Sequence, residues 1–432
     1  MTASGRIAIL GGACIPFARH NTAYAESSNI DMLTAALAGV VERFGLKDQR
    51  LGEVAGGAVL KHSRDANISR EAALSCGLSP QTPAYDVQQA CATSLEACIL
   101  VGNKIALRQI EVGIACGVDS ASDAPIALND KLRRLILRLR RAKTTGEKLG
   151  LLSGLRPSML APSIPSVNER CTGLSMGEHC ELMVKEWQIS RAAQDQLTLA
   201  SHANGVKAYD RGFHADLMVP FNGLSRDNNL RADSSMEKLA RLPPAFDKTS
   251  GKGSLTAANS TPLTDGAAAV LLASETWAAS HGHTPLAWLV DAESAAVRFF
   301  GPDPEGLLMA PTYAVARLLK RHGLALQDFD YYEIHEAFAG QVLCTLAAWE
   351  SADYCCDKLG ADKPLGTIDR ARLNVNGGSV ALGHPFAATG ARIVAGAAKQ
   401  LAEHRAVTGK SGRTLVSICA AGGIGVAAIL EG

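Results

Sequence analysis

Hydrophobic and polar positions along the chain follow two patterns. Some short stretches are almost wholly apolar, which is typical of buried strands. Other stretches place apolar residues three and four positions apart, which predicts helices with one buried face. The strand candidates are RIAILGGA, EVAGGAVL, TPAYDV, VGIACGVDSAS and YYEI, and the first helix candidates are NIDMLTAALAGVVERFG and CATSLEACILVGNKIALRQ. Because strands and helices alternate, they predict a layered α/β fold.

The last sixty or so residues repeat the order found near residue 90. LNVNGGSVALGHP is predicted as strand and loop, AATGARIVAGAAKQLAEH as a helix, and TLVSICAAGGIGVAAIL as a strand, a turn and a strand. In each half, a motif-bearing loop therefore precedes a buried helix, and the helix leads to a glycine-rich strand. This repetition indicates an internal duplication.

A segment of different composition separates the two halves. From Pro125 to Lys248 the chain is richer in charge, in serine and asparagine, and in proline, and GSLTAANSTPLTDGAAAVLLAS then returns to apolar strand character. The segment is therefore predicted to be an insertion within the first half. The predicted organisation is a first part of the N-terminal half (1–124), an inserted loop domain (125–248), the return of the N-terminal half (249–275) and a C-terminal half (276–432).

Composition excludes several classes of protein. The chain is 47% hydrophobic and 20% charged, and it has no run of 18 apolar residues, so we expect a globular protein without a spanning helix. A net charge of +1 gives no general attraction to nucleic acid. The start, MTASGRIAILGGACIPF, lacks the build of a signal peptide, so we expect a cytoplasmic protein, although a chain without its transit peptide would look the same.

One stretch of the insertion, NDKLRRLILRLRRAKTTGEKLG, predicts a basic amphipathic helix. Seven basic residues and no acid lie between Lys131 and Lys143. Four uses of this helix stay open: a solvated face docked on its own protein, an anionic membrane surface, a partner protein, or a phosphate-bearing ligand. The apolar residues on one helical face are Leu128, Leu132, Leu135, Ile136 and Leu139.

The eleven cysteines include no CxxC pair and no Cys/His cluster with zinc-like spacing. Most lie in apolar runs, which is typical of small buried residues in a reducing compartment. In DVQQACATSLEAC, Cys91 is predicted to open a helix, where the helix dipole and free N–H groups favour the reactive thiolate. Cys98 lies two turns further into apolar surroundings, so we expect it to belong to the core.

Three other stretches hold candidate chemistry at junctions of predicted elements. His384 lies between Gly383 and Pro385, just before a helix, where the sites of α/β proteins commonly lie. His335 follows the strand candidate YYEI. Cys419 ends an apolar strand before AAGGIG, a turn whose N–H groups suit an oxyanion.

With these four stretches in order, the chain resembles the thiolase family of acyl-CoA:acetyl-CoA C-acyltransferases. The likeness runs from residue 6 to the end. It implies a five-layer α-β-α-β-α core of two similar α/β halves with a loop domain inserted in the first. The matching stretches are QQACATS, HEAFAG, NGGSVALGHPFAATGAR and CAAGGIG, with LTAANSTPLTDGAAAV and SMGEHCE resembling the acyl-CoA-contacting segments.

The resemblance implies a role for each matching residue. Cys91 is expected to be the nucleophile that carries the acyl group, and His384 the base that activates it. Cys419 is expected to act as general acid and base, and His335 to position a water at an oxyanion site shared with His384. The N–H groups of Cys91 and Ala421 would form a second oxyanion site.

The resemblance also suggests substrate contacts, and it implies no cofactor, because CoA is a substrate, and no metal. A medium-chain or long-chain 3-ketoacyl-CoA would be cleaved by CoA to acetyl-CoA and a shortened acyl-CoA in fatty-acid β-oxidation, by a ping-pong reaction. The candidate substrate-binding residues are Met176, Ser254, Asn259, Thr261, Ala421 and Gly422.

Two departures from the common family pattern indicate one branch. Most members have Asn at the position of His335, and the usual C-x-G becomes Cys419-Ala420-Ala421. Both features, and Thr261-Pro262 where many members have Ser-Gly, resemble the β-subunit of the fatty-acid oxidation trifunctional complex. That likeness implies at least a homodimer, or a dimer of dimers, and an α-subunit partner with hydratase and dehydrogenase activities.

Three alternatives to thiolysis remain. A Claisen-type condensing enzyme can use the same fold, but such enzymes lack a second reactive cysteine, so Cys419 argues against it. A cysteine hydrolase is weaker, since no residue that activates water is apparent. The third alternative is a catalytically inactive relative that binds a partner or a membrane through the basic helix.

Overall fold

The computed structural model describes residues 5–165 and 168–432. Its strands are Ile7–Cys14 (β1), Ala18–Arg19 (β2), Glu53–Gly56 (β3), Ala84–Asp86 (β4), Val112–Asp119 (β5), Thr264–Ser274 (β6), Ala287–Ala296 (β7), Tyr331–Ile334 (β8), Arg413–Ala420 (β9) and Ile424–Glu431 (β10).

The α-helices follow the predicted alternation with the strands. They are Asn29–Arg43 (α1), Ile68–Ser75 (α2), Thr93–Ala106 (α3), Asp130–Arg141 (α4), Thr145–Leu152 (α5), Met176–Glu186 (α6), Arg191–Asp210 (α7), Met236–Ala240 (α8), Glu275–Ser280 (α9), Ala310–His322 (α10), Ala339–Glu350 (α11), Ala352–Asp357 (α12), Ser379–Leu382 (α13) and Thr389–Thr408 (α14).

The strand order is similar in the two halves, as a duplication predicts. The first half runs β4-β3-β5-β6-β1, and the second half runs β7-β10-β9-β8. β1 and β7 pair antiparallel, with Ile7 opposite Leu289, and so join the two halves. In both halves parallel pairing at the outer end of the sheet (β4-β3-β5 in the first half, β8 with β9 in the second) is followed by antiparallel neighbours. Each strand of the second half therefore occupies the place of one strand of the first.

Alternating side chains divide the interior into separate layers. Ile9 and Leu272 of the first half, with Ile418 and Val426 of the second, pack into one central core around α3 and α14. Residues on the opposite face of the first half pack on α1 and α2. Those on the opposite face of the second half pack on α10 and α11. The layers are therefore α-β-α-β-α, with α3 and α14 in the middle.

One predicted strand is wrong. In LNVNGGSVALGHP the structure has a single bridge, between Leu373 and Tyr332, and no strand. Asn374 has φ +45°, which ends extended pairing. Its side chain forms the hydrogen bonds to β8 that the backbone of a neighbouring strand would otherwise form. Oδ1 accepts from the N–H of Ile334 and Nδ2 donates to the Ile334 carbonyl, both at 2.9 Å. The residues that follow are thereby free to form the loop that carries His384.

The chain between β5 and β6 holds α4 to α8 in two different settings. α6 and α7 pack on the second half through buried residues such as Cys180 and Leu197. α4 and α5 project outward, and Leu135 is the one buried side chain of these two helices. Within residues 5–165 and 168–432, no helix combines the length and the apolarity needed to cross a membrane.

We predict that Gly390, near the start of α14, is required for the close approach of α14 to α3. A Cβ there would lie 2.5 Å from the backbone nitrogen of Leu95, so Gly390→Ala should lower the free energy of unfolding by about 1–3 kcal/mol. Gly396→Ala on the same helix is the matched control. Nothing lies within 4 Å of its Cβ position, so helix propensity should raise stability by up to ~1 kcal/mol.

The measurement is the urea midpoint of each variant followed by circular dichroism. Equal shifts for the two substitutions would show that the contact with Leu95 imposes no constraint.

Candidate active site

Cys91 lies in a single 3₁₀ turn, Ala90–Ala92, between β4 and α3. Ala90 has φ +48°, a strained conformation for a residue with a Cβ, and it turns the chain sharply before the cysteine. Thr93 holds this turn together, because its hydroxyl accepts from the N–H of Gln89 at 2.9 Å and donates to the carbonyl of Ala90 at 2.7 Å. The prediction that Cys91 opens the helix is confirmed.

His384 comes from the corresponding region of the second half, five residues before the start of α14, whereas Cys91 lies two residues before the start of α3. It follows Gly383, whose φ of +105° requires glycine, and precedes the 3₁₀ turn Phe386–Ala388 that leads into α14. Its Nε2 lies 3.1 Å from Sγ of Cys91, and its Nδ1 lies 2.6 Å from Oγ1 of Thr389. With Nδ1–H donating to Thr389, Nε2 is left unprotonated to accept the proton of the Cys91 thiol.

Two hydrogen bonds hold these two turns against each other. The hydroxyl of Ser94 on α3 accepts from the N–H of Ala391 on α14 at 2.7 Å. The carboxylate of Asp119, at the end of β5, accepts from the N–H of Ala387 at 2.8 Å. Both side chains are fully buried, so the separation of the Cys91 and His384 turns is set by the core.

His335 lies at the end of β8, fully buried, with its ring centroid 4.1 Å from that of His384. Its Nδ1 is 2.8 Å from Oγ of Ser379, while its Nε2 has no hydrogen-bond partner in the part of the chain that the structure describes. One ring nitrogen of each histidine and the Cys91 sulfur lie within 4.8 Å of one another. Residues far apart in sequence thus form one donor cluster.

Cys419, at the end of β9, is also part of this pocket. It is buried, and burial raises its pKa, as does any negative charge that forms on the neighbouring Cys91. The following turn directs the N–H of Ala421 toward the Cys91 sulfur, where it favours the thiolate, as does the N–H of Cys91 itself. All four stretches that carried the sequence resemblance therefore meet around Cys91.

The electrostatics of the pocket correct one expectation. The helix start was expected to favour the Cys91 thiolate, but burial, with a smaller contribution from Asp119, raises the pKa of Cys91 to about 12. Burial and the nearby His335 hold the pKa of His384 well below its usual range. Both partners are therefore neutral at rest. Burial raises the pKa of Cys98 to about 12 as well, so the histidine neighbour and not the pKa distinguishes Cys91 from Cys98.

Two of the other predicted contact residues have polar side chains that are already hydrogen-bonded within the protein. The Ser254 hydroxyl is bonded to Glu181 at 3.0 Å, and the Asn259 amide is used by the N–H of Thr256 at 2.7 Å and by Asp195. Their polar groups therefore stabilise the loop itself. Met176 packs beside the cluster that contains Cys419, Thr261 donates its N–H to Ala337, and Gly422 donates its N–H to Glu169.

Three hydroxyl-bearing residues around the histidines escaped the sequence reasoning. Thr389 and Ser379 orient His384 and His335, and Thr264 accepts from the N–H of His384 at 3.2 Å. Glu336 is buried and binds Ser201, the N–H of Val380 and the amide of Asn374, which fixes the loop beneath the histidines. Both Ser379 and Thr389 lie in the quoted motif around His384, so that motif contained the signal.

A groove of about 400 Å³ lies close to the segments that carry His335 and Ser379. Its lining includes Val380, next to Ser379, and Ser260, which bridges to Phe338 three residues after His335. Its walls combine apolar Leu239, Leu242 and Pro262 with basic Arg19, Arg231 and Lys238.

The chain matches known proteins over its full length. The family descriptions "Thiolase, N-terminal domain" and "Thiolase, C-terminal domain" match residues 7–276 and 284–432. It is 42% identical to a 3-ketoacyl-CoA thiolase of Pectobacterium atrosepticum (99% of this chain, 96% of the relative) and 40% identical to one of Shewanella loihica (99% and 97%).

Solved structures show the same likeness. The acetyl-CoA acetyltransferase of Bacillus anthracis superposes with a TM-score of 0.80 at 29% identity and full coverage of both chains. That of Syntrophomonas wolfei has a TM-score of 0.80 at 27% identity, with 99% of each chain covered.

We predict that alkylation of Cys91 by iodoacetamide accelerates steadily with pH. Because burial raises its pKa to about 12, its thiolate fraction, and so its rate, should rise about tenfold per pH unit from pH 7 to pH 10. A free cysteine peptide, with a pKa of ~8.5, should level off within that range. Timed quenching and mass spectrometry of the Cys91 peptide measure the rate. A rate already flat at pH 6 would instead show a resting thiolate–imidazolium pair.

Proposed function

The chain belongs to the thiolase family, and on that premise we propose that it is an acyltransferase that cleaves 3-ketoacyl-CoA with CoA in fatty-acid degradation. The observation that carries the proposal is the 3.1 Å contact between Cys91 Sγ and His384 Nε2. It places a nucleophile against an unprotonated base whose other nitrogen is held by Thr389, the arrangement that covalent acyl transfer requires.

The first half-reaction transfers the acyl group to the enzyme. His384 takes the proton of Cys91 as the sulfur attacks the 3-keto carbon, and the tetrahedral oxyanion is stabilised by the N–H groups of Cys91 and Ala421. The bond between C2 and C3 then breaks, leaving a thioester on Cys91 and the carbanion of acetyl-CoA. Cys419 gives its proton to that carbanion, and acetyl-CoA leaves.

The second half-reaction returns the enzyme to its starting state. Thiolate Cys419 takes the proton of the incoming CoA thiol, whose sulfur attacks the acyl thioester. Collapse of the tetrahedral intermediate releases the shortened acyl-CoA, and Cys91 recovers its proton from His384. The neutral resting states of Cys91 and His384 suit this cycle, because negative charge then forms only when a substrate carbonyl is in place for the sulfur to attack.

His335 serves the other oxyanion site together with His384. Ser379 can accept from Nδ1–H or donate to Nδ1, so Nε2 of His335 can either accept from a water or donate directly to the thioester oxygen. Its lack of another partner among the described residues leaves Nε2 available for this purpose.

The groove lined by Val380 and Ser260 takes the CoA portion of both substrates. Arg19, Arg231 and Lys238 supply positive charge for its phosphates, and Leu242 with Pro262 supplies apolar contact for the pantetheine arm.

The subfamily resemblance supports medium-chain or long-chain substrates, a cytoplasmic location, a homodimer or dimer of dimers, and a complex with a hydratase/dehydrogenase α-subunit. Helix α4 with its flanks (128–143) is assigned to an anionic membrane surface. Leu128, just before the helix, and Ile136 and Leu137, on it, are exposed, and Arg138, Arg140 and Arg141 of the same helix form no ion pair within the described ranges.

We predict CoA-dependent cleavage of 3-ketoacyl-CoA with a preference for medium or long chains, followed as loss of substrate absorbance over a chain-length series. Cys91→Ala should lower kcat about 10³-fold or more, and Cys98→Ala, the same change without a histidine partner, should keep cleavage. Cys419→Ser should lose solvent exchange of the acetyl-CoA α-proton, measured by NMR. Exchange that survives this change, or cleavage that survives Cys91→Ala, would contradict the assigned roles.

We predict that the full-length protein binds vesicles containing phosphatidylglycerol and not neutral vesicles. Replacing Arg138, Arg140 and Arg141 by Gln should weaken binding about a hundredfold, since each charge near the surface contributes ~1 kcal/mol. A matched triple change of the exposed basic residues Lys47, Arg50 and Lys410 is the control.

Co-sedimentation over a lipid titration measures this binding. Equal losses in the two triple variants would rule out a specific surface on α4. A raised KM for CoA in the first variant, without vesicle binding by the unaltered protein, would assign the helix to the CoA phosphates instead.

A further inference from the structure

The donor atoms around Cys91 form a set that also suits a metal ion. Cys91 supplies a sulfur, and His335 and His384 each supply a ring nitrogen, all within 4.8 Å of one another. Two imidazoles and a thiolate are the ligands that Zn²⁺ prefers. Sequence spacing could not show this set, because its members lie 49 to 293 residues apart on different elements.

The hydrogen bond at Nδ1 of each histidine supports the assignment of these residues as metal ligands. Nδ1 of His384 is held by Thr389 at 2.6 Å, and Nδ1 of His335 is held by Ser379 at 2.8 Å. Histidines that bind metal are commonly oriented in this way through the nitrogen that does not bind. His335 in addition has a fully buried Nε2 without a partner among the residues described, although an unsatisfied nitrogen of this kind is costly.

The dimensions require only small side-chain movement. Metal–nitrogen bonds near 2.1 Å and a metal–sulfur bond near 2.3 Å in a tetrahedron separate the ligand atoms by about 3.5 Å. The present 3.1 Å between Cys91 Sγ and His384 Nε2 and the 4.8 Å limit on the other pairs bracket that value. Side-chain rotations that move the donor atoms by about 1 Å would therefore bring all three within bonding distance of one ion, and a water would be the fourth ligand.

We propose that Cys91, His335 and His384 form a binding site for Zn²⁺ or a similar transition-metal ion that reversibly inhibits the enzyme. Binding replaces water ligands of the ion by one metal–sulfur and two metal–nitrogen bonds and releases the Cys91 thiol proton to solvent. The bound ion occupies both the nucleophilic sulfur and the nitrogen of the base. His335 makes this site possible, because an asparagine at its position would leave only two strong ligands.

The test is a titration of the full-length, ligand-free protein with Co²⁺, which needs no turnover and so stands apart from the proposed activity. We expect one ion per chain, a thiolate-to-cobalt charge-transfer band, the visible spectrum of a tetrahedral site, and displacement by Zn²⁺. Cys91→Ser should abolish the charge-transfer band. His335→Asn should weaken binding by more than about tenfold, since loss of even an outer partner of a ligand costs ~10–100-fold.

The controls address the other thiols and the folding of the variants. Cys171 and Cys356 are exposed, so the Cys171→Ser, Cys356→Ser double variant should bind Co²⁺ unchanged. If Cys91→Ser does not fold, alkylation of Cys91 in that double variant replaces it and should prevent binding. A charge-transfer band that persists after Cys91 is blocked, that is lost in the double variant, or that is unaffected by His335→Asn would overturn the proposal.

Discussion

The close approach of two helix starts is the constraint on which this structure depends. α3 and α14 lie in the central layer, and Gly390 allows the backbone of one to meet Leu95 of the other. The Ser94–Ala391 and Asp119–Ala387 hydrogen bonds then lock the turns that precede the helices. A thiol and an imidazole 293 residues apart are thereby brought to 3.1 Å. A site built on packed helices is held more firmly than one built on loops.

Burial sets the chemistry of this site more than the helix dipole does. Desolvation raises the pKa of Cys91 and lowers that of His384, so both are neutral until a substrate carbonyl approaches. N–H groups of Ala421 and Cys91 oppose this only in part. N–H groups of this kind have most effect on a rate when they lie where negative charge develops on a substrate. A protected resting thiol is also less open to oxidation than a permanent thiolate.

Much of the fold and of the site could be predicted from the sequence, for identifiable reasons. Apolar periodicity located α1, α3 and α14, and the motif order placed Cys91, His384 and Cys419 in one pocket, because each motif falls at a junction of elements. The strand predicted at LNVNGGS was wrong because a left-handed Asn374 substitutes its side chain for a backbone ladder, which hydrophobic pattern cannot reveal. The neutral state of Cys91 was missed for a similar reason. Cys91 is half-buried, and the desolvation of its sulfur depends on distant segments and not on its neighbours in the chain.

Duplication explains why two different residues meet at one point. Each half delivers a 3₁₀ turn and then a central helix, Ala90–Ala92 before α3 and Phe386–Ala388 before α14. When the two turns are aligned, Cys91 corresponds to Ala387 and His384 to Gln88, so the two residues come from different positions of the repeated unit. Each half therefore contributes one member of the pair from its own place in the turn. The repeated fold therefore supplies the convergence of the two helix starts, and divergence between the halves supplies the reactive pair, with β8 and β9 adding His335 and Cys419 from the second half alone.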